Sequence, residues 1–141
     1  MPTVKIKNEE ISYEEADVIT LEEGLIGLSG LRQMVLVGQS TIDPFMWLAS
    51  VDISGMAFLV IEPALLFTDY ENSLPDELKQ ENEEKLLALA LVKLESDWEK
   101  TTINLRAPIL INRKTKRGVQ IVLTESDYGL TEYLPSTLLA A

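Results

Sequence analysis

Chemistry in a protein needs side chains that attack, ionise near neutrality or hold a metal, and this sequence is short of them. It contains no cysteine and no histidine. That removes thiolate nucleophiles, disulfides, imidazole bases and the usual ligands of zinc and iron. Carboxylate, lysine or tyrosine chemistry and an oxygen-ligated cation remain, yet no GxGxxG, GxxxxGK[ST], GxSxG or DxDxDG spacing organises them. The nearest glycine-rich piece, GLIGLSG at residues 24–30, has leucines between its glycines and no lysine to meet a phosphate, so it reads as a turn. No catalytic, cofactor-binding or metal-binding residue is assigned.

The polar stretch TTINLRAPILIN, residues 101–112, places Asn104, Arg106 and Asn112 around an apolar run and Pro108. Proline cannot donate to a strand ladder and pushes Ala107 toward an extended backbone. The segment is therefore expected to be a strand entered through a kink or lying at a sheet edge. Asn104 and Asn112 would satisfy backbone groups where the chain turns, and Arg106 would pair with a carboxylate. This favours scaffold over contact surface. Just beyond it, Arg113, Lys114, Lys116 and Arg117 form a basic turn with no aromatic residue interleaved to stack on bases, which reads as a solvated hairpin tip rather than a nucleic-acid patch.

Electrostatics point the same way. Twelve basic residues stand against 23 acidic ones, a formal charge of −11. Such a field repels RNA, DNA and anionic lipid and attracts basic proteins. The acidity concentrates between Asp69 and Glu84, where seven acids face one base, Lys79. This stretch is either a solvated helix face or a docking surface for a cationic partner.

The elements that must position these residues are mostly strands. Val4–Lys7 alternates, Gln33–Val37 is short and apolar, and Phe45–Ala49 and Met56–Ile61 are rich in aromatic and branched residues. Asp43-Pro44, Ser54-Gly55 and Glu62-Pro63 separate them as turns. Ala107–Asn112 and Val119–Leu123 flank the basic turn as a hairpin, with Gly118 supplying a bend or bulge. Short strands at this spacing suggest an all-β barrel or sandwich. One domain over residues 1–141 is expected from the length and the lack of a linker or repeat. The longest apolar run, Leu86–Val92, is far too short to span a bilayer, and MPTVKIKNEE lacks a signal peptide's hydrophobic segment, so a cytoplasmic location is expected. The middle is ambiguous: propensity draws one helix from Pro75 to Leu94, whereas Leu86–Leu94 also fits a buried strand.

Six segments in order carry a resemblance. They are Gly24–Leu28, Pro44–Ser50, Ala57–Pro63 followed by Asp69-Tyr70, Asn104–Asn112, and Gly118–Leu123, the first of which has Leu28 where phenylalanine is usual. Over nearly the full chain they resemble the flagellar assembly factor family, FliW. The resemblance implies a mainly β, small single-domain antiparallel β-barrel-like fold with one or two short helices. It favours a short helix near residues 75–83 and a strand from about Leu86.

The resemblance also implies a non-enzymatic regulator without a cofactor. Members of the family bind flagellin and the RNA-binding translational regulator CsrA, antagonising its repression of flagellin messenger RNA. Neither direct nucleic-acid binding nor a membrane is expected. The alternatives are a dedicated flagellin chaperone without a regulatory role, or a carboxylate-based hydrolase. Candidate partner contacts are Asp69, Tyr70, Glu71, Asp76 and Glu77 in the acidic segment, together with Trp98, set among charged neighbours. Trp47 and Phe58 are expected in the core.

Overall fold

A computed structural model describes residues 2–70, 74, 86–124 and 128–134. Among them are eleven strands: β1 Thr3–Ile6, β2 Glu9–Ser12, β3 Ile19–Leu21, β4 Gln33–Gly38, β5 Met46–Ser50, β6 Ala57–Ile61, β7 Leu86–Lys93, β8 Thr102–Ile103, β9 Ile109–Asn112, β10 Arg117–Gln120 and β11 Glu132–Tyr133. Helix among the described residues is limited to short 3₁₀ turns at Glu15–Asp17, Pro63–Leu65 and Trp98–Lys100, with Tyr70 also in 3₁₀ conformation. The helix expected near residues 75–83 lies outside the described residues.

Seven strands close a barrel in the order β7-β6-β5-β4-β3-β10-β9, with β9 returning to β7 through Leu86↔Asn112 to Leu89↔Ile109. Its pairings are antiparallel except for β3 with β10, which run parallel. Closure removes the edges an open sheet would expose. The β1–β2 hairpin stands apart as a two-stranded sheet, and its turn residues Lys7 and Asn8 both have positive φ, as a two-residue hairpin turn of the mirror-image type requires.

Alternation along the strands sorts the apolar residues into an inside and an outside. Ile19, Leu21, Met34, Leu48, Val60, Leu89, Ile109 and Ile111, drawn from six of the barrel strands, fill the lumen. Their neighbours Val35 and Ala49 point outward and are covered by Val4 and Ile6 of the β1–β2 hairpin. Leu59, Ile61, Ala90 and Leu110 also point outward, under a lid that includes Tyr70, Leu74, Leu105, Leu123 and Leu134. Most barrel strands are thus buried on both faces, which is why they read as continuous apolar runs rather than as a clean alternation.

The same logic settles residues 86–94. Their leucines and alanines favour helix by propensity, but β7 pairs with β6, β8 and β9 at once, and the ladder bonds and two-sided burial outweigh that preference.

TTINLRAPILIN runs along one side of β7 as β8 and then β9. Between the pairs Val92↔Ile103 and Leu89↔Ile109 the β7 side advances three residues and the opposite side six, so three residues loop out. Pro108 sits at the end of that loop, and the expected kink is present; the sheet-edge alternative is not, because β9 pairs on both sides. Asn104 Oδ1 accepts from the N–H groups of Arg106 (3.2 Å) and Ala107 (3.0 Å), as its position at a turn suggested. Asn112 Oδ1 accepts likewise from Lys114 and Thr115. Arg106 departs from expectation: among the described residues its guanidinium donates to the carbonyls of Tyr128 and Thr124 and to no carboxylate. A planar fork can reach two carbonyls at once, and the loop needs those acceptors occupied.

Two glycines act differently from each other. Gly24 has φ +70°, and a Cβ there would lie 2.7 Å from the carbonyl oxygens of Leu28 and Ser29, so the GLIGLSG turn requires glycine at its start. Gly118 was expected to form the bend of the β9–β10 hairpin. Instead Lys116 takes the positive φ, and Gly118 lies in β10 facing the lumen, where a Cβ would meet Leu21 and Ile111 side chains at 2.9 and 3.0 Å.

Candidate interaction surface

With the lumen packed, the outer surface remains for function, and among the described residues it carries an aromatic cleft beside the β1–β2 hairpin. Phe45 ends the loop that enters β5, and Trp47 follows two residues later with its side chain outward. Trp98 comes from the 3₁₀ turn after β7, fixed by Asp97, whose carboxylate accepts from the Glu99 N–H at 3.1 Å. The Phe45 and Trp98 rings meet edge to face, with centroids 5.7 Å apart and planes at 79°. Lys7, at the hairpin tip, places its ammonium 5.2 Å from the centroid of the Trp47 ring. Asp43 and Leu94 complete the rim of a cleft of about 440 Å³.

Both tryptophans of the chain line this one cleft. Trp98 is 37% exposed, matching its reading as a partly exposed aromatic beside charged neighbours. Trp47 is half-buried: it packs against the core as expected and also forms a cleft wall. Phe58 is half-buried against the lumen cluster. The sequence reading missed Lys7, Asp43, Phe45 and Leu94. The one available signal for the cleft was the pair of tryptophans, but nothing local joins residue 47 to residue 98.

Of the other candidate contacts, Asp69 and Tyr70 lie among the described residues. Asp69 is exposed. Glu71, Asp76 and Glu77 lie outside the described residues. Tyr70 is corrected: it is fully buried, and its hydroxyl donates to the Leu105 carbonyl at 2.6 Å, closing the looped-out segment before β9. A side chain held there packs the core and offers a partner nothing. Burial, with the neighbouring Tyr128 as a lesser cause, pushes its phenol well above the ordinary tyrosine range. Tyr70 and Trp98 still reach the same cluster, Tyr70 as a member and Trp98 through Phe45.

The basic hairpin tip is partly neutralised where it stands. Arg113 pairs with Glu62 at 3.3 Å and Arg117 pairs with Glu22. Among the described residues, no group of three or more acidic side chains could hold a metal ion, and no helix is long and apolar enough to cross a membrane.

These features define a class first: a small closed β-barrel whose lumen is packed with apolar side chains, leaving its outer surface to meet partners. The sequence profile of the FliW protein family matches residues 4–134. A flagellar assembly factor FliW of Thermotoga maritima is 37% identical over 135 residues, covering 92% of this chain and 91% of that protein. One from Caldanaerobacter subterraneus is 40% identical over 123 residues, covering 84% and 82%. A crystal structure of the flagellar assembly factor FliW superposes with a TM-score of 0.80 at 29% identity, covering 94% of this chain and 97% of that one. The chain belongs to the FliW family of flagellar assembly factors. Its relatives are named for assembly, not for catalysis.

Proposed function

We propose that this flagellar assembly factor works in the cytoplasm as a single domain that binds flagellin and binds CsrA, relieving CsrA's repression of flagellin messenger RNA. The observation that carries the reading is family membership across residues 4–134, joined to a formal charge of −11. A protein that binds RNA must present cationic surface to phosphates, so an acidic partner is steered to it and, once docked, adds negative potential beside the RNA groove. The pairing of Arg113 and Arg117 with Glu62 and Glu22 supports a route through protein contact rather than through RNA, since it weakens the one cationic patch of the hairpin.

The test uses purified protein, the same organism's CsrA and flagellin, and no RNA. Light scattering should find one chain per CsrA protomer, because a two-fold dimer offers two equivalent sites. Binding of flagellin without CsrA would leave a dedicated chaperone. No complex with CsrA at micromolar concentration would remove the regulator reading.

A further inference from the structure

The Trp47 ring already carries a cation. Lys7 sits over it at 5.2 Å, delivered by a hairpin turn whose two residues both take positive φ. Elsewhere in the lining of the same cleft Trp98 is 37% exposed, Leu94 is 50% exposed, and the acidic Asp43 is exposed as well. Aromatic faces with a nearby carboxylate are the chemistry that receives a guanidinium, because ring quadrupole and carboxylate attract the same charge while the rings cover its apolar plane. The chain's charge of −11 selects against anionic occupants and for basic ones.

We propose that the Phe45–Trp47–Trp98 cleft is a receptor for a single arginine side chain of a basic protein segment, and that Lys7 is its tethered internal competitor. With the cleft empty, the Lys7 ammonium holds the Trp47 face. An incoming guanidinium pairs with Asp43, stacks on the aromatic wall and displaces Lys7 into solvent, which a four-carbon side chain at a hairpin tip can do without moving β1 or β2. The occupant's affinity is therefore set partly by how strongly Lys7 competes. This deepens the reading above, since a basic regulator would supply the arginine, but the two fail separately because the experiment uses no CsrA.

The two indole N–H signals in a nitrogen–proton NMR spectrum report on this cleft alone, since the chain has only these two tryptophans. The probe is a short peptide of glycines around one arginine, and its control carries citrulline, which has the same shape without the charge. The arginine peptide should shift both indole signals and saturate with a dissociation constant on the order of a millimolar, as a single side chain allows, while the citrulline peptide should not. Lys7→Met should then tighten arginine binding about two- to fivefold, the range an exposed cation–π contact spans. Lys5→Met removes the same charge from an exposed position of the same hairpin and should leave that affinity unchanged. Equal responses to the two peptides, no response to either, or equal effects of Lys7→Met and Lys5→Met would each overturn the proposal, while binding of CsrA, measured separately, would still stand or fall on its own.

Discussion

Replacing Tyr70 by phenylalanine isolates one hydroxyl at the junction between the barrel and its outer lid. In the parent chain that hydroxyl donates to the Leu105 carbonyl at 2.6 Å, and both residues are fully buried. Phenylalanine keeps the ring and its contacts with Tyr128 and the surrounding leucines but strands the carbonyl away from water. A buried acceptor left without its donor costs about 1–3 kcal/mol, equivalent to a fall of about 3–10 °C in Tm for a domain of this size. The pH dependence supplies a second, sharper signature. The folded pKa of Tyr70 is raised above its unfolded value near 10. The folded state therefore holds a proton that the unfolded state releases, so the stabilisation is fully present below pH 10 and is lost as pH rises toward the folded value. Parent stability should fall by as much as about 1.4 kcal/mol per pH unit above pH 10 relative to the variant, which has no proton to hold at this position. Urea titrations of both proteins at pH 7, 9 and 11, followed by circular dichroism, make the comparison. The variant should be the weaker by a constant margin at pH 7 and 9, and the margin should shrink or reverse at pH 11. A variant as stable as the parent at pH 7, or a margin unchanged at pH 11, would refute the role given to this hydroxyl.

Gly118→Ala should destabilise by about 1–3 kcal/mol in urea, because its Cβ would enter the lumen 3.0 Å from the Leu110 carbonyl as well as against Leu21 and Ile111. Asn104→Ala frees two backbone N–H groups in the looped-out segment and should cost about 1–2 kcal/mol by the same measurement, with Asn104→Asp recovering most of it because a carboxylate can accept both bonds. Gel mobility shifts should detect no RNA binding at physiological salt and low micromolar protein, since the net field is repulsive and two of the four hairpin cations are paired. Converting Asp69, Glu71, Asp76 and Glu77 together to Asn or Gln should slow CsrA association and flatten its salt dependence in stopped-flow traces, with a total loss of about 1–3 kcal/mol and an unchanged melting curve.

What the sequence makes legible follows from how far apart the interacting residues are. Strands β4, β5 and β6 announce themselves, since Gln33–Val37, Phe45–Ala49 and Met56–Ile61 each lie within a residue of the observed bounds and are divided by local turn signals. The short strands β3, β8 and β11 do not, because two or three residues carry no period and exist only through their partners. The β2 strand is hidden differently: Glu9–Ser12 is polar and exposed on an outlying hairpin, and only its pairing with β1 makes it a strand.

The candidate contact surface divides along the same line. Trp98 could be suspected from Asp97, Glu99 and Lys100 beside it, because charged neighbours keep a segment at the surface. Tyr70 was grouped with the acidic stretch on the same evidence and is buried, since a single residue can turn inward at the edge of a charged run when a carbonyl such as that of Leu105 awaits it. Local charge reports where a backbone segment lies, whereas the direction of one side chain is decided by its distant partner. The aromatic cleft is the extreme case. Lys7, Phe45, Trp47 and Trp98 come from a hairpin tip, a loop, a barrel strand and a 3₁₀ turn, and it is closure of the barrel, with the β1–β2 hairpin laid across β5, that brings them into contact. A mutation that loosened the hairpin, such as Val4→Ala or Ile6→Ala on its barrel-facing side, would therefore open the Trp47 face by an indirect route, whereas Lys7→Met opens it with the hairpin still in place.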